Sequence, residues 1–201
     1  CCGGGRAAWE IVDRAIELGC QKLQFFKDKF DDAMLELIPD TMEQKGTAYF
    51  LTRSGVRFCL KVEMIGDLAM YCALSLENLT DENSPRIQNV NSFDCTFDSE
   101  ESPTLTSVTG DNCLDHGQMS YRTKLPAGTV YTAEPTGGRS SNTTAFPYFN
   151  ITDECRSRVF AIGWSGQWRA SVFSEKDSYR VTVGINNCDF YLKPHESVIF
   201  P

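Results

Sequence analysis

The chain has 201 residues, 41% of them hydrophobic and 11% aromatic, with 27 acidic against 19 basic side chains and a formal net charge of −8. That length suits one domain, or one domain with a short appendage, and the apolar content suffices for a core. Phosphate binding needs clustered Lys and Arg, which this sequence lacks, and no apolar run approaches the ~18–20 residues of a membrane span, so neither nucleic acid nor a membrane is an expected partner.

Arg6 to Gly19 is predicted to be an amphipathic helix: Trp9, Ile11, Val12, Ala15, Ile16 and Leu18 recur near helical spacing, and Gly19 can cap its end. A second short helix is predicted from Asp31 to Ile38, stopped by Pro39. After residue 46 the period changes to two. Phe58, Leu60, Val62 and Met64 alternate with Arg57, Cys59, Lys61 and Glu63. Beyond a Gly66-Asp67 turn, Leu68, Met70, Cys72, Leu74 and Leu76 form a second alternating set, which predicts a hairpin with one buried face. Further strands are predicted at Ile87 to Phe97, Thr104 to Thr109, Val130 to Ala133, Arg158 to Trp164, Gln167 to Ser174, Tyr179 to Gly184, Phe190 to Leu192 and Ser197 to Phe200. Many short strands with no helix between them argue for a mostly β fold, an antiparallel β-sandwich. Residues 1–45 read as a helical or irregular lead-in, and 46–201 as the sandwich.

Nine cysteines stand at 1, 2, 20, 59, 72, 95, 113, 155 and 188, an odd number without a C-x-x-C pair. The two histidines, His116 and His195, are far apart, so no metal and no cofactor is expected. Cys59, Cys72 and Cys95 lie in apolar strand-like runs and read as free thiols acting as small hydrophobes. No signal peptide is visible, and a cytoplasmic location is the expectation. The glycosylation-type triplets at Asn78, Asn142 and Asn150 read as chance occurrences.

No nucleophile elbow, P-loop or dinucleotide fingerprint occurs, and no carboxylate pair can be assigned while strand register is unknown. The densest stretch runs from Gly137 to Trp168. Trp164 and Trp168 flank a Ser165-Gly166 turn, and Tyr148 and Phe149 follow Pro147. Flat aromatic faces beside amides and hydroxyls suit a sugar, whose C–H faces lie on the ring while its hydroxyls need directional partners. Core packing competes with that reading, because Trp164 continues the face of Phe160 and Ile162, and Trp168 that of Ala170 and Val172. Gly137 and Gly138 permit positive φ, and Arg139 carries a fixed fork of donors. That loop faces a substrate, or else it is a long sandwich loop pinned by a buried arginine.

At these residues the chain resembles the N-terminal β-supersandwich domain of glycoside hydrolase family 36, the retaining α-galactosidases, in its bacterial form. The resemblance rests on Gly138-Arg139-Ser140-Ser141 leading to Phe146-Pro147-Tyr148-Phe149, and on the hairpin Ala161-Ile162-Gly163-Trp164-Ser165-Gly166-Gln167-Trp168. It extends to Tyr191-Leu192-Lys193-Pro194-His195-Glu196, where His195 replaces the family's glycine, and more weakly to Phe25, to Phe50 through Asn78 and to Gly110-Asp111-Asn112-Cys113. Where relatives carry polar, histidine-containing residues, this chain has Asn142-Thr143-Thr144-Ala145.

In that family the two catalytic aspartates stand on a (β/α)8 barrel after this domain, so the resemblance places no catalytic residue on this sequence. It implies a non-catalytic domain, inactive alone, that caps the barrel of its own polypeptide, a carbohydrate substrate as partner, and a homo-oligomer as an assembly. Arg139, Ser140, Ser141, Trp164 and Trp168 are the residues expected to contribute to the substrate pocket. Two alternatives are a free-standing carbohydrate-binding module, which needs both indoles accessible, and a sandwich used only for protein contacts.

Overall fold

A computed structural model describes residues 20–23, 41–45, 48–110, 117–154 and 156–200. The helices expected at 6–19 and 31–38, Cys113 and His116 lie outside the described residues. Among the described residues every regular element is a β-strand, and the strands pair antiparallel. The described residues divide into two units, one drawn from 41–92 and 187–200, the other from 20–23 and 93–186.

In the second unit, β1 (Cys20–Leu23) is the first described strand; in the first, β2 (Thr41–Lys45), β3 (Ala48–Arg53), β4 (Val56–Ile65) and β5 (Ala69–Asn78) follow one another as a meander. Period two decides the first unit's sheet. Register pairs Phe58 with Leu76 and Leu60 with Leu74, so the buried Val56, Phe58, Leu60, Val62, Leu74 and Leu76 share one face. Each such side chain contributes about 1.5–3 kcal/mol relative to exposure. The expected face fails at Leu68, which falls in the turn opened by Gly66 (φ 63°) and is 84% exposed; β5 begins one residue later. The expected single strand from Ile87 to Phe97 is also broken. Asn89 adopts φ 54°, which ends β6 (Ile87–Gln88) and restarts the chain as β7 (Asn91–Asp98).

In the second unit, β8 (Thr104–Val108), β9 (Ser120–Lys124), β10 (Val130–Ala133), β11 (Tyr148–Thr152), β12 (Ser157–Ala161), β13 (Trp168–Ser174) and β14 (Ser178–Ile185) complete two sheets, ordered β1-β7-β14-β13-β10 and β12-β11-β8-β9. Rings from the two sheets meet. Phe160 of β12 stacks on Phe149 at 4.9 Å and meets Phe93 and Phe97 of β7 edge-on at 5.9 and 6.1 Å. Phe97 in turn stacks on Tyr179 at 5.3 Å. Asp94, buried in β7, is gripped through two bonds by the Arg180 guanidinium, which raises the arginine's proton affinity further. Cys95 does not fit the free-thiol expectation: it is buried and disulfide-bonded. Cys59 and Cys72 are free, and burial pushes the Cys72 thiol up to about 12.

The first unit closes through β15 (Asp189–Phe190), paired with β6, and β16 (Ser197–Phe200), paired with β5. Asn78 joins these segments. Its buried side-chain amide donates to the carbonyls of Glu82, Leu192 and Lys193 at 2.7, 3.1 and 3.0 Å, while its Oδ1 accepts from the Thr80 hydroxyl at 2.8 Å. The triplet read as chance therefore has a structural cause, an Asn–Thr side-chain turn. His195 sits at φ 59°, with its ring on Asp81 at 2.9 Å. A left-handed backbone at this turn suits the glycine that the resemblance led one to expect there.

Candidate functional site

The predicted site lies wholly in the second unit, where the segment 134–147 between β10 and β11 packs beside the turn 162–167 between β12 and β13. The expected strand from Arg158 to Trp164 stops at Ala161, freeing residues 162–167 to form the turn, and β13 begins at Trp168. In that turn the Trp164 indole lies over Gly166, where an added Cβ would stand 2.7 Å from Nε1. A side chain at position 166 would displace the ring.

The two tryptophans part company. Trp168 is 1% exposed, and its indole N–H donates to the Ser140 carbonyl at 2.8 Å. Its ring packs in the core and its polar edge holds the loop. Trp164 is only half-buried. Arg139 is exposed and pairs with no carboxylate among the described residues. The buried arginine considered at the sequence level is a different one. Arg158 donates through Nη1 to Asp153 at 2.5 Å and to the Tyr179 hydroxyl at 2.8 Å, and its guanidinium lies 4.9 Å from the Phe97 ring centre. Its Nε and Nη2 are buried and find no hydrogen-bond acceptor among the described residues. Burial raises the Tyr179 hydroxyl to about 12 despite that arginine.

Residues assigned no role from the sequence do most of the holding. Gln167 accepts the Gly138 N–H at 3.0 Å and donates to the Pro135 carbonyl at 3.1 Å. Asn142 donates to the Thr136 carbonyl at 3.2 Å, accepts from the Thr144 hydroxyl at 2.7 Å, and bonds the Ala145 carbonyl through its backbone N–H at 3.1 Å. The second glycosylation-type triplet is thus another Asn–Thr turn, while in the third, on β11, the direction is reversed and Asn150 donates to the Thr152 hydroxyl at 3.1 Å. Behind the loop, a Cβ on Gly110 would lie 2.1 Å from the Asn142 carbonyl oxygen and 2.4 Å from Ser141 Oγ, so only glycine permits that approach. Asn-x-Thr spacing was the available signal for Asn142; Gln167 stood in the hairpin motif, with nothing in the sequence to mark its role.

The segment therefore presents Arg139 beside a half-exposed tryptophan turn, with Ser140 and Trp168 spent on holding it. An exposed guanidinium can donate two parallel hydrogen bonds to adjacent oxygens. Among the described residues no group of three or more His, Cys, Asp and Glu could hold a metal ion.

No family model matches the sequence, and no curated protein sequence matches it. Solved structures do match. An α-galactosidase from Lactobacillus brevis superposes with a TM-score of 0.65 at 14% identity, over 90% of this chain and 26% of its own. The glycoside hydrolase family 36 α-galactosidase AgaA of Geobacillus stearothermophilus, in complex with raffinose, matches with a TM-score of 0.65 at 18% identity, over 90% and 26%. A different variant of that enzyme, in complex with stachyose, matches with a TM-score of 0.61 at 18% identity, over 90% and 27%. At these identities the likeness is one of fold. The chain spans about a quarter of the length of the enzymes it matches.

Proposed function

We propose that this chain is a non-catalytic domain of an α-galactosidase-like glycoside hydrolase, packing against a catalytic barrel and helping to wall its sugar pocket. One observation carries the reading: nine-tenths of the chain superposes within about a quarter of each of several α-galactosidases. Retaining hydrolysis of a glycoside needs two carboxylates held about 5–5.5 Å apart. In the proposed arrangement those groups stand on the barrel, while the 134–147 segment supplies Arg139 and the Trp164 turn at the pocket's rim. The carbohydrate is then a partner shared between two domains.

The test is direct. The pure 201-residue chain is expected to leave a nitrophenyl α-galactoside intact, and measurable hydrolysis by it would overturn the non-catalytic reading. Reading the coding sequence around the chain checks the other half, since a (β/α)8 barrel with two strand-end aspartates is expected alongside it. A free-standing saccharide-binding module is the second reading, supported by the accessibility of Arg139 and Trp164 but weakened by the burial of Trp168. Saccharide binding by the chain with no barrel encoded beside it would favour that one.

A further inference from the structure

We infer that the 134–145 segment is a prebuilt wall rather than a lid, and that Gln167 is the residue positioning it so that Arg139 meets two adjacent oxygens of its ligand. The class of ligand, a saccharide offering vicinal hydroxyls, rests on the reading just proposed; the positioning does not.

By composition this segment is pliant, with Gly137 and Gly138 both left-handed at φ 74° and 73°. Ordering such a loop on ligand arrival would cost about 1–2 kcal/mol per residue in backbone entropy. Here the protein orders it first. The anchors bracket Arg139 closely: the Gly138 N–H goes to Gln167 and the Ser140 carbonyl to Trp168, one residue to either side. Outside them stand the Pro135 carbonyl, held by Gln167 Nε2, and the Glu134 carbonyl, 3.0 Å from the Thr144 hydroxyl. The Glu134 carboxylate accepts from Asn186 at 3.1 Å.

Among the described residues outside the segment, Gln167 both accepts from one point of it and donates to another. Glutamate could only accept and lysine only donate, so the chemistry singles out an amide. A guanidinium whose backbone is already fixed loses less freedom on making a bidentate contact, which is how preorganisation becomes affinity.

The experiment is a chemical-shift titration of the 201-residue chain with raffinose, together with amide exchange at Gly138 and Ser140. It compares wild type, Arg139→Ala, Gln167→Met, Gln167→Glu and the Arg139→Ala/Gln167→Glu double variant. Gln167→Glu keeps the acceptor for Gly138 and guards against misfolding of the methionine variant. Exchange at Gly138 is expected to accelerate at least about tenfold in Gln167→Met and less in Gln167→Glu. Raffinose affinity is expected to fall in each Gln167 variant, to fall further in Arg139→Ala, and to fall no more in the double variant than in Arg139→Ala. A Gln167 effect of equal size without Arg139 overturns the coupling. Unchanged exchange in Gln167→Met overturns the positioning. A wild-type chain indifferent to raffinose overturns a saccharide contact made by this chain by itself, while the exchange rates still decide whether Gln167 holds the wall.

Discussion

The indole N–H of Trp168 donates to the carbonyl of Ser140, 2.8 Å away and 28 residues earlier in the chain. One buried ring thereby belongs to the core and to the loop at once. Trp168→Phe keeps an aromatic ring but deletes the donor and leaves a small void. It is expected to destabilise the chain by about 2–4 kcal/mol, read from the midpoint of urea unfolding.

Asn78 carries a heavier set of bonds, with three carbonyls converging on one amide nitrogen. Asn78→Asp sets a carboxylate against those oxygens, and about 3 kcal/mol or more of stability should disappear. Asn78→Ala should cost less than Asn78→Asp, because it leaves the carbonyls unpaired without adding charge. Chemical denaturation of the three proteins in parallel gives the order.

His195 tests the left-handed turn. Substitution by glycine relieves a φ of 59° and gives up an exposed contact to Asp81. The melting temperature of His195→Gly should equal or slightly exceed that of wild type. His195→Val, branched at Cβ, should lower stability by about 1–2 kcal/mol.

Alkaline pH should unfold the chain by a route set by burial. Tyr179 and Cys72 are both held neutral, each pushed up to about 12 from lower ordinary values. The unfolded chain releases these protons first, so the contribution of these two groups to stability is constant well below pH 9 and falls as pH rises towards 12. Each group steepens the fall by up to about 1.4 kcal/mol per pH unit. Cys72→Ala should flatten the part of the slope that begins near pH 9, as followed by denaturation at a series of pH values.

Cys95 is oxidised within a buried strand. Reductant is therefore expected to lower the unfolding midpoint by the equivalent of about 2–4 kcal/mol. Under denaturing, non-reducing conditions Cys95 should escape alkylation. Its labelling there would show a free thiol.

Much of the fold was legible because burial leaves a mark at period two. The alternation from Val56 to Val62 and at Leu74 and Leu76 maps directly onto one buried face. The breaks were less legible. Asn89 and Leu68 interrupt strands through backbone conformation and turn placement, which hydrophobic alternation does not encode. The short β9 and β11 were absent from the predicted strands because β9 is mostly polar and exposed, while β11 follows a Pro-aromatic turn that reads as loop.

The site divides in the same way. From the sequence alone came the mostly β fold and a proposed site of one loop, one hairpin and five residues, since glycine, tryptophan and arginine are conspicuous wherever they cluster. Only the tertiary structure decided what each does: Trp168 inward, Arg139 outward, Arg158 rather than Arg139 buried, and Gln167 and Asn142 as the holders of the loop. The reason is physical. Composition and period report how much a residue gains by leaving water, whereas a hydrogen bond between positions 138 and 167 exists only once strand register has brought them within 3.0 Å.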